Sequence, residues 1–255
     1  MKTIIANWKM NVGVRESVAL ARATLLTLRG RKQVPELVIC PPFVALCEVH
    51  KVVARSGVSL GAQDVFWKDS GAFTGEISGR MLAEFGTTHV LIGHSERRAH
   101  LGETDAMVNL KVLYALEVGL IPVVCVGETR AQKEAGDAHK VVRDQLVCAC
   151  ASVRLRSRDR LYVAYEPIWA IGAGEACTLG DALEMHTMIR SVLSKLCSAD
   201  QLKVLYGGSV DGENAHGFLR EREVDGVLVG GASVKINQFK GVVEAACEVV
   251  VAQAS

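Results

Sequence analysis

The sequence predicts an α/β protein: a closed (β/α)8 barrel of eight parallel strands, each followed by a helix, formed as one domain over residues 1–255. Three observations carry this. Eight short apolar, β-branched runs recur along the chain. The segments between them show the 3.6-residue periodicity of amphipathic helices. The runs are continuously hydrophobic and not alternating, as strands are when helices cover both faces of a parallel sheet. Eight such units in about 250 residues match the size of a closed barrel. An open, doubly wound sheet usually has fewer strands and carries its phosphate site after the first, where this chain has Asn7-Trp8-Lys9.

The first run is Thr3 to Lys9, followed by a helical segment with Ser17, Leu20, Ala21, Leu25 and Leu28 on one face. Leu37 to Pro41 and Val58 to Gln63 are the second and third, and His89 to His94 is the fourth. Ser95-Glu96-Arg97-Arg98 then reads as a capped helix start. Ile121 to Gly127 is the fifth run and Leu161 to Glu166 the sixth, stopped by Pro167, which has no backbone donor for the ladder. Leu183, Met185, His186, Ile189, Val192 and Leu196 mark the helix that leads to the seventh run, Leu202 to Gly208; Asp225 to Gly230 is the eighth. There is no linker, low-complexity segment or fixed-period repeat.

Composition excludes several classes of function. Lys+Arg 29 against Asp+Glu 28 gives no charged half or tail and argues against a nucleic-acid partner. The basic stretch Arg154 to Arg160 is the exception and reads as a solvated helix end. An apolar fraction of 49% is ample for a core, yet no run reaches the roughly 18 residues needed to span a bilayer, so no membrane association is expected. Asn7 and Lys9 interrupt the N-terminus too early for a secretory signal, which favours the cytoplasm. Cys40 and Cys125 fall within strand-like runs, Cys148 and Cys150 are too close on one helix to pair, and the eight cysteines are expected to be reduced. No Cys-x-x-Cys or His-x-x-x-His spacing suggests a metal.

In a barrel of this kind, reactive side chains belong at the C-terminal ends of strands. The first run ends in Asn7 and Lys9, the fourth in His94 and the sixth in Glu166, while the last two lead into Gly207-Gly208-Ser209 and Gly230-Gly231. Paired glycines let backbone N–H groups approach an anion closely, and two adjacent pairs suggest a phosphate cradle. Tight turns alone would also account for them. A Walker-type loop is absent, so the phosphate belongs to a small substrate. Glu166 is a candidate base. His94, at a helix N-terminus that should depress its pKa, is a candidate neutral hydrogen-bond donor, and Lys9 is a fixed cation for a developing oxyanion. Trp169 and Ile171, between Pro167 and the glycines Gly172 and Gly174, read as the apolar tip of a lid. Together these groups describe proton abstraction beside the carbonyl of a phosphorylated small molecule. A Schiff-base aldolase would need a lysine inside the rim, and Lys203 lies at the opposite end of its strand.

With these residues in view, the chain resembles the triosephosphate isomerase family along essentially its whole length. The resemblance rests on Ala6-Asn-Trp-Lys-Met-Asn11, Gly61-Ala-Gln-Asp64, Gly71-Ala-Phe-Thr-Gly-Glu-Ile77, Gly93-His-Ser-Glu-Arg-Arg98 and Val126-Gly-Glu128. It continues through Ala164-Tyr-Glu-Pro-Ile-Trp-Ala-Ile-Gly172, Tyr206-Gly-Gly-Ser-Val210 and Val229-Gly-Gly-Ala-Ser233. It implies interconversion of dihydroxyacetone phosphate and D-glyceraldehyde 3-phosphate through an enediolate, in glycolysis and gluconeogenesis, with no cofactor. Glu166 would shuttle the proton, His94 would polarise the oxygens, Lys9 with Asn7 would steady the charge, and Glu96 would orient the site from behind. Amides of Gly172, Ser209, Gly230 and Gly231 would hold the phosphate. A homodimer is implied as well, with Thr74 reaching the partner's site and Gln63 close to that contact. Two departures stand out. Glu175, Ala176, Cys177, Thr178 and Leu179 replace the usual lysine-containing, proline-ended hinge, and Gly79 replaces a common proline, which is expected to relax its loop. Another phosphosugar barrel enzyme and a non-catalytic phosphate-binding barrel are the alternatives.

Overall fold

The computed structural model describes residues 1–171 and 177–254. Strands β1 (Thr3–Asn7), β2 (Glu36–Cys40), β3 (Ser59–Ala62), β4 (Thr87–Ile92), β5 (Ile121–Val126), β6 (Leu161–Tyr165), β7 (Leu202–Tyr206) and β8 (Gly226–Val229) pair in that order, all parallel, and β8 closes on β1. Each expected run overlaps one strand, although β2 begins at Glu36 and β4 at Thr87, ahead of the runs expected from Leu37 and His89. The ends differ where chemistry interrupts the ladder: β1 stops at Asn7 because Lys9 takes a left-handed backbone (φ 51°), and β4 stops before His94, which caps a helix. Glu166 is not the last strand residue but the first beyond β6; its N–H still reaches the Val126 carbonyl at 2.7 Å.

The outer layer is α1 (Val14–Leu28), α2 (Leu46–Val53), α3 (Gly79–Glu84), α4 (Ser95–Leu101), α5 (Asp105–Glu117), α6 (Arg130–Glu134), α7 (Ala138–Ala149), α8 (Leu179–Leu193), α9 (Ala215–Leu219) and α10 (Ile236–Ala254). α8 buries Ala182, Met185, His186, Ile189 and Leu193, one stripe at helical spacing. The barrel wall separates two apolar layers. Ile4, Leu37, Ile39, Val90, Val124, Val163 and Val204 face the helices, while Ile5, Val38, Leu91, Val123, Ala164, Leu205 and Leu228 fill the interior. Successive strand residues therefore bury on opposite sides, the cause of the continuous hydrophobic runs.

The interior is closed at its N-terminal end by a polar plug. The Glu36 carboxylate accepts from Lys203 Nζ (2.7 Å), Thr3 Oγ1 (2.7 Å) and Tyr162 OH (2.9 Å). Lys203 is thus committed to the barrel floor. Burial raises the Glu36 pKa, but the nearby His89 ring (Nε2 at 3.6 Å), the Lys203 ammonium and the hydrogen bonds from Lys203 and Thr3 outweigh it and hold the carboxyl well below the usual range. A carboxyl with a depressed folded-state pKa stabilises the fold above its unfolded pKa, and that stability is lost as pH falls. Glu36→Gln is accordingly expected to cost on the order of 1–3 kcal/mol at neutral pH and progressively less below pH ~4.5. Urea unfolding at several pH values measures this, and a loss independent of pH would contradict it.

The basic stretch is not a helix end. It follows α7 as the turn into β6, where Arg156 donates to Asp159 (3.0 Å) and to the Leu116 carbonyl (2.6 Å). All eight cysteines are unpaired. Among the described residues no helix is long and apolar enough to cross a membrane.

Candidate active site

The C-terminal mouth of the barrel holds a cavity of about 520 Å³ lined by Asn7, Lys9, His94, Glu96, Glu166, Ile171, Gly207, Gly208, Ser209, Gly230 and Gly231, among others. Seven residues separated widely in sequence, Asn7, Lys9, His94, Glu166, Ser209, Gly230 and Gly231, thus meet at one place as the strand ends required. Gly172, Gly174, Glu175 and Ala176 lie outside the described residues, and the expectations that rest on them are untouched by this geometry.

Lys9 is set by its own loop. Its N–H donates to Asn7 Oδ1 (3.1 Å) and its carbonyl accepts from Gln63 Nε2 (2.9 Å), contacts that hold a left-handed backbone costing about 1–2 kcal/mol for a side chain with a Cβ. Gln63, expected near a subunit contact, therefore also acts within the chain, tying β3 to the turn after β1. The Lys9 ammonium lies 2.5 Å from Glu96 Oε1. Glu96 does not sit behind the site: its side chain is half exposed at the mouth, because the first turn of α4 points it outward beside Lys9.

His94 is the N-cap of α4, and its Nδ1 accepts from the Glu96 N–H at 3.3 Å. A backbone donor on Nδ1 places the ring proton on Nε2. Nε2 stands 3.0 Å from Glu166 Oε1. The expected depression of the His94 pKa is not the net result in this arrangement. Burial does push it down, but the Glu166 carboxylate on Nε2 outweighs burial and raises it.

Glu166 is 2% exposed. Its Oε2 accepts from the Ser95 N–H at 2.9 Å, the free end of α4. Burial alone would raise its pKa, yet His94 and the Ser95 N–H overcome that and lower it, so the buried carboxyl is held ionised. Gly207 leaves room for it, since a Cβ there would come within 3.1 Å of Glu166 Cγ. The carboxylate is therefore drawn back onto α4, with the cavity in front of it.

Trp169 is not an apolar tip. It is buried in a short 3-10 turn (Ile168–Ala170), and its Nε1 donates to Glu128 Oε1 (2.6 Å), which also accepts from Tyr165 OH (3.0 Å). Lys133 Nζ lies 3.3 Å from its ring centroid. Gly79 is buried at the start of α3, where a Cβ would stand 2.8 Å from Val118 Cγ2, so the packing there favours glycine.

Sequence reasoning assigned no role to the ion cluster behind His94. Lys111, 1% exposed, reaches Asp64 (2.6 Å) and Glu103 (3.1 Å), while Arg97 reaches Asp64 (2.8 Å) and Glu103 (2.5 Å). Glu103 Oε1 accepts from the Gly93 N–H at 3.1 Å, one residue before the imidazole. Burial pushes the Asp64 carboxyl upward despite its cationic partners. Lys111→Met should leave Arg97 as the single cation between two buried carboxylates and cost ~1–3 kcal/mol in a urea unfolding titration. A loss below ~1 kcal/mol would mean that the cluster does not depend on this ammonium. Arg97 was visible in the helix-start motif, but nothing local tied it to residues 64, 103 and 111.

Among the described residues no group of three His, Cys, Asp or Glu side chains is placed to hold a metal ion. Moving a proton beside a carbonyl needs an ionised base and a hydrogen-bond donor facing a common cavity, and the mouth of this barrel presents both beside a fixed ammonium. Fold and site together define an aldose–ketose isomerase. A family model described as Triosephosphate isomerase matches residues 2–246. Proteins named triosephosphate isomerase from Thermoanaerobacter sp. (strain X514), Trichlorobacter lovleyi and Aquifex aeolicus are 46%, 42% and 42% identical to it. The alignments cover 94%, 94% and 95% of this chain and 97%, 96% and 98% of the relatives. The chain belongs to the triosephosphate isomerase family.

Proposed function

We propose that Glu166, His94 and Lys9 carry the interconversion of dihydroxyacetone phosphate and D-glyceraldehyde 3-phosphate by this chain. The observation that carries the assignment is the buried Glu166 carboxyl 3.0 Å from a histidine whose Nδ1 is already occupied by a backbone donor. Glu166 leaves Ser95 and His94 to meet substrate, which frees Nε2–H for the carbonyl oxygen. The carboxylate takes the proton from the carbon beside the carbonyl, and the electron pair moves onto oxygen to give an enediolate. His94 Nε2–H and the Lys9 ammonium, with Asn7 alongside, stabilise that negative oxygen. The hydroxyl proton on the carbon that lost its hydrogen passes to the former carbonyl oxygen, relayed by His94 Nε2, which gives its proton to one oxygen and takes one back from the other, and Glu166 returns its own proton to the neighbouring carbon. Ser209, Gly230 and Gly231 hold the phosphate, with Gly172 as a further amide outside the described residues, and Glu96 steadies Lys9. No cofactor is needed, because one group serves as base and acid in turn.

Running the reaction in deuterium oxide tests this path. A carboxylate that exchanges its proton between abstraction and return puts solvent deuterium on product carbon, read by NMR; product free of deuterium in both directions would point to direct hydride transfer instead.

The protein acts as a homodimer in this proposal, residues 1–255 forming one domain per subunit. Beside the substrate cavity a second cleft of about 540 Å³ is lined by Met10, Val44, Gln63, Glu96 and Leu101, among others. Met10 is 97% exposed, Val44 77% and Leu101 63%, three apolar side chains open to water around one cleft. Thr74 stands on an exposed loop next to Phe73, itself 41% exposed, the kind of projection that fits such a cleft on a second copy. Light scattering should give twice the mass of one chain, and Thr74→Arg should shift it towards one; an unchanged mass for the variant would reject this loop as the contact. The unpaired cysteines fit a reducing compartment and support a cytoplasmic location.

A further inference from the structure

Gly127, the first residue past β5, is buried, and its backbone is satisfied in an unusual way. The carboxamide of Gln145, on α7 outside the barrel, accepts from the Gly127 N–H through Oε1 (2.8 Å) and donates to the Gly127 carbonyl through Nε2 (3.1 Å). One side chain thus does what a neighbouring strand would do for that residue. Among the described residues the two Gly127 groups have no other partner.

Glu166 rests directly on this peptide. A Cβ at Gly127 would fall 1.8 Å from the Glu166 carbonyl oxygen and 2.7 Å from its carbonyl carbon, so the two backbones touch. On either side, the Glu166 N–H bonds the Val126 carbonyl (2.7 Å) and the Ile168 N–H bonds the Glu128 carbonyl (3.2 Å). Residues 126–128 are therefore the bed on which residues 166–168 lie, and Gln145 holds the middle of it. Packing does not require a polar group at this point of α7, since Val142, Leu146 and Ala149 already bury the inner face. A carboxamide carries its donor and its acceptor on two separate atoms, which lets one uncharged side chain meet the N–H and the carbonyl of the same residue.

We propose that Gln145 is a positioning residue for Glu166: by clamping the Gly127 backbone it fixes the segment from which the carboxylate reaches the substrate. The proposal rests on Glu166 being the base. Displacing a reacting group by a fraction of an ångström lowers the rate of the chemical step without weakening the binding of a distant phosphate.

The test measures kcat, KM and inhibition by inorganic phosphate for Gln145→Met and Gln145→Glu, each alone and combined with Glu166→Gln. Gln145→Met is expected to lower kcat about 10- to 100-fold while KM and phosphate inhibition move less than about twofold. Gln145→Glu should fall between it and wild type, because a carboxylate still accepts the Gly127 N–H but repels the carbonyl. Its kcat relative to wild type should recover as pH falls through the new carboxyl's titration, when a protonated acid can again donate. With Glu166→Gln in place, Gln145→Met should change the residual rate by less than about twofold, since the group it positions is gone. An equal loss in both backgrounds, a matching loss of phosphate affinity, or an unchanged kcat would overturn the proposal. If Gln145→Met does not fold, the pH dependence of Gln145→Glu decides, and a profile parallel to wild type overturns it. A Glu166→Gln single variant with near-normal turnover would instead sink the base assignment.

Discussion

Glu166→Gln is expected to lower kcat about 10²- to 10⁴-fold, the usual contribution of a positioned base. That range corresponds to roughly 3–5 kcal/mol of barrier. The substitution is nearly isosteric, and the amide oxygen can still accept the Ser95 N–H, so the variant should fold and bind substrate with KM changed far less than kcat. What it cannot do is take a proton from carbon. A steady-state assay coupled to consumption of one triose phosphate reads both constants, and a fall in kcat of less than tenfold would remove Glu166 from the proton path. Stability also carries a signature. The folded-state pKa of Glu166 is lowered, so its ionisation stabilises the fold above the unfolded carboxyl's value and that contribution disappears as pH falls. The acid side of the wild-type stability curve should therefore be steeper than that of the variant.

Lys9→Met should cost about 10²- to 10³-fold in kcat/KM, comparable to the loss of one preorganised oxyanion donor. Both constants are expected to move, since the ammonium attracts the phosphorylated substrate and also meets the charge that develops on its oxygen. Stability should hardly change. The Lys9–Glu96 pair is 23% and 49% exposed at its two side chains, and pairs so open to water contribute about 1 kcal/mol or less. This separation is the diagnostic: a variant that loses its melting temperature together with its activity would show that Lys9 supports the fold and not the chemistry. Lys9→Arg keeps the charge but presents a planar, bulkier fork on a shorter aliphatic stem, and should recover only part of the rate.

Much of the site was legible because catalysis in this fold is tied to strand ends. Pro167 marks the end of β6 and so locates Glu166; the Asn7 to Lys9 turn and His94 fall out of the same reasoning. Local chemistry also identified the start of α4 at Ser95, although the use of its N–H to hold Glu166 was not visible. The expectation for His94 shows where such reasoning stops. The helix end is real and its N–H does occupy Nδ1, but the larger influence comes from Glu166, 71 positions beyond Ser95 and reached only when β4 and β6 stand in one barrel. Trp169 failed for the same reason: its partner, Glu128, lies 41 positions away.

Sequence alone determined the number, order and direction of the strands, the two-sided burial of each, and the identity of the groups at the mouth. These follow from short-range physics: β-branched runs, proline and glycine stops, and helical periodicity act within a few residues. Only the tertiary structure decided that Glu166 is drawn back onto α4, that Glu96 lies at the mouth and not behind it, that Gln63 supports the Lys9 carbonyl, and that Gln145 and the Lys111 cluster brace the site from outside. Those facts depend on hydrogen bonds and charges that act over about 3 Å between residues far apart in the chain, distances that exist once the barrel has closed.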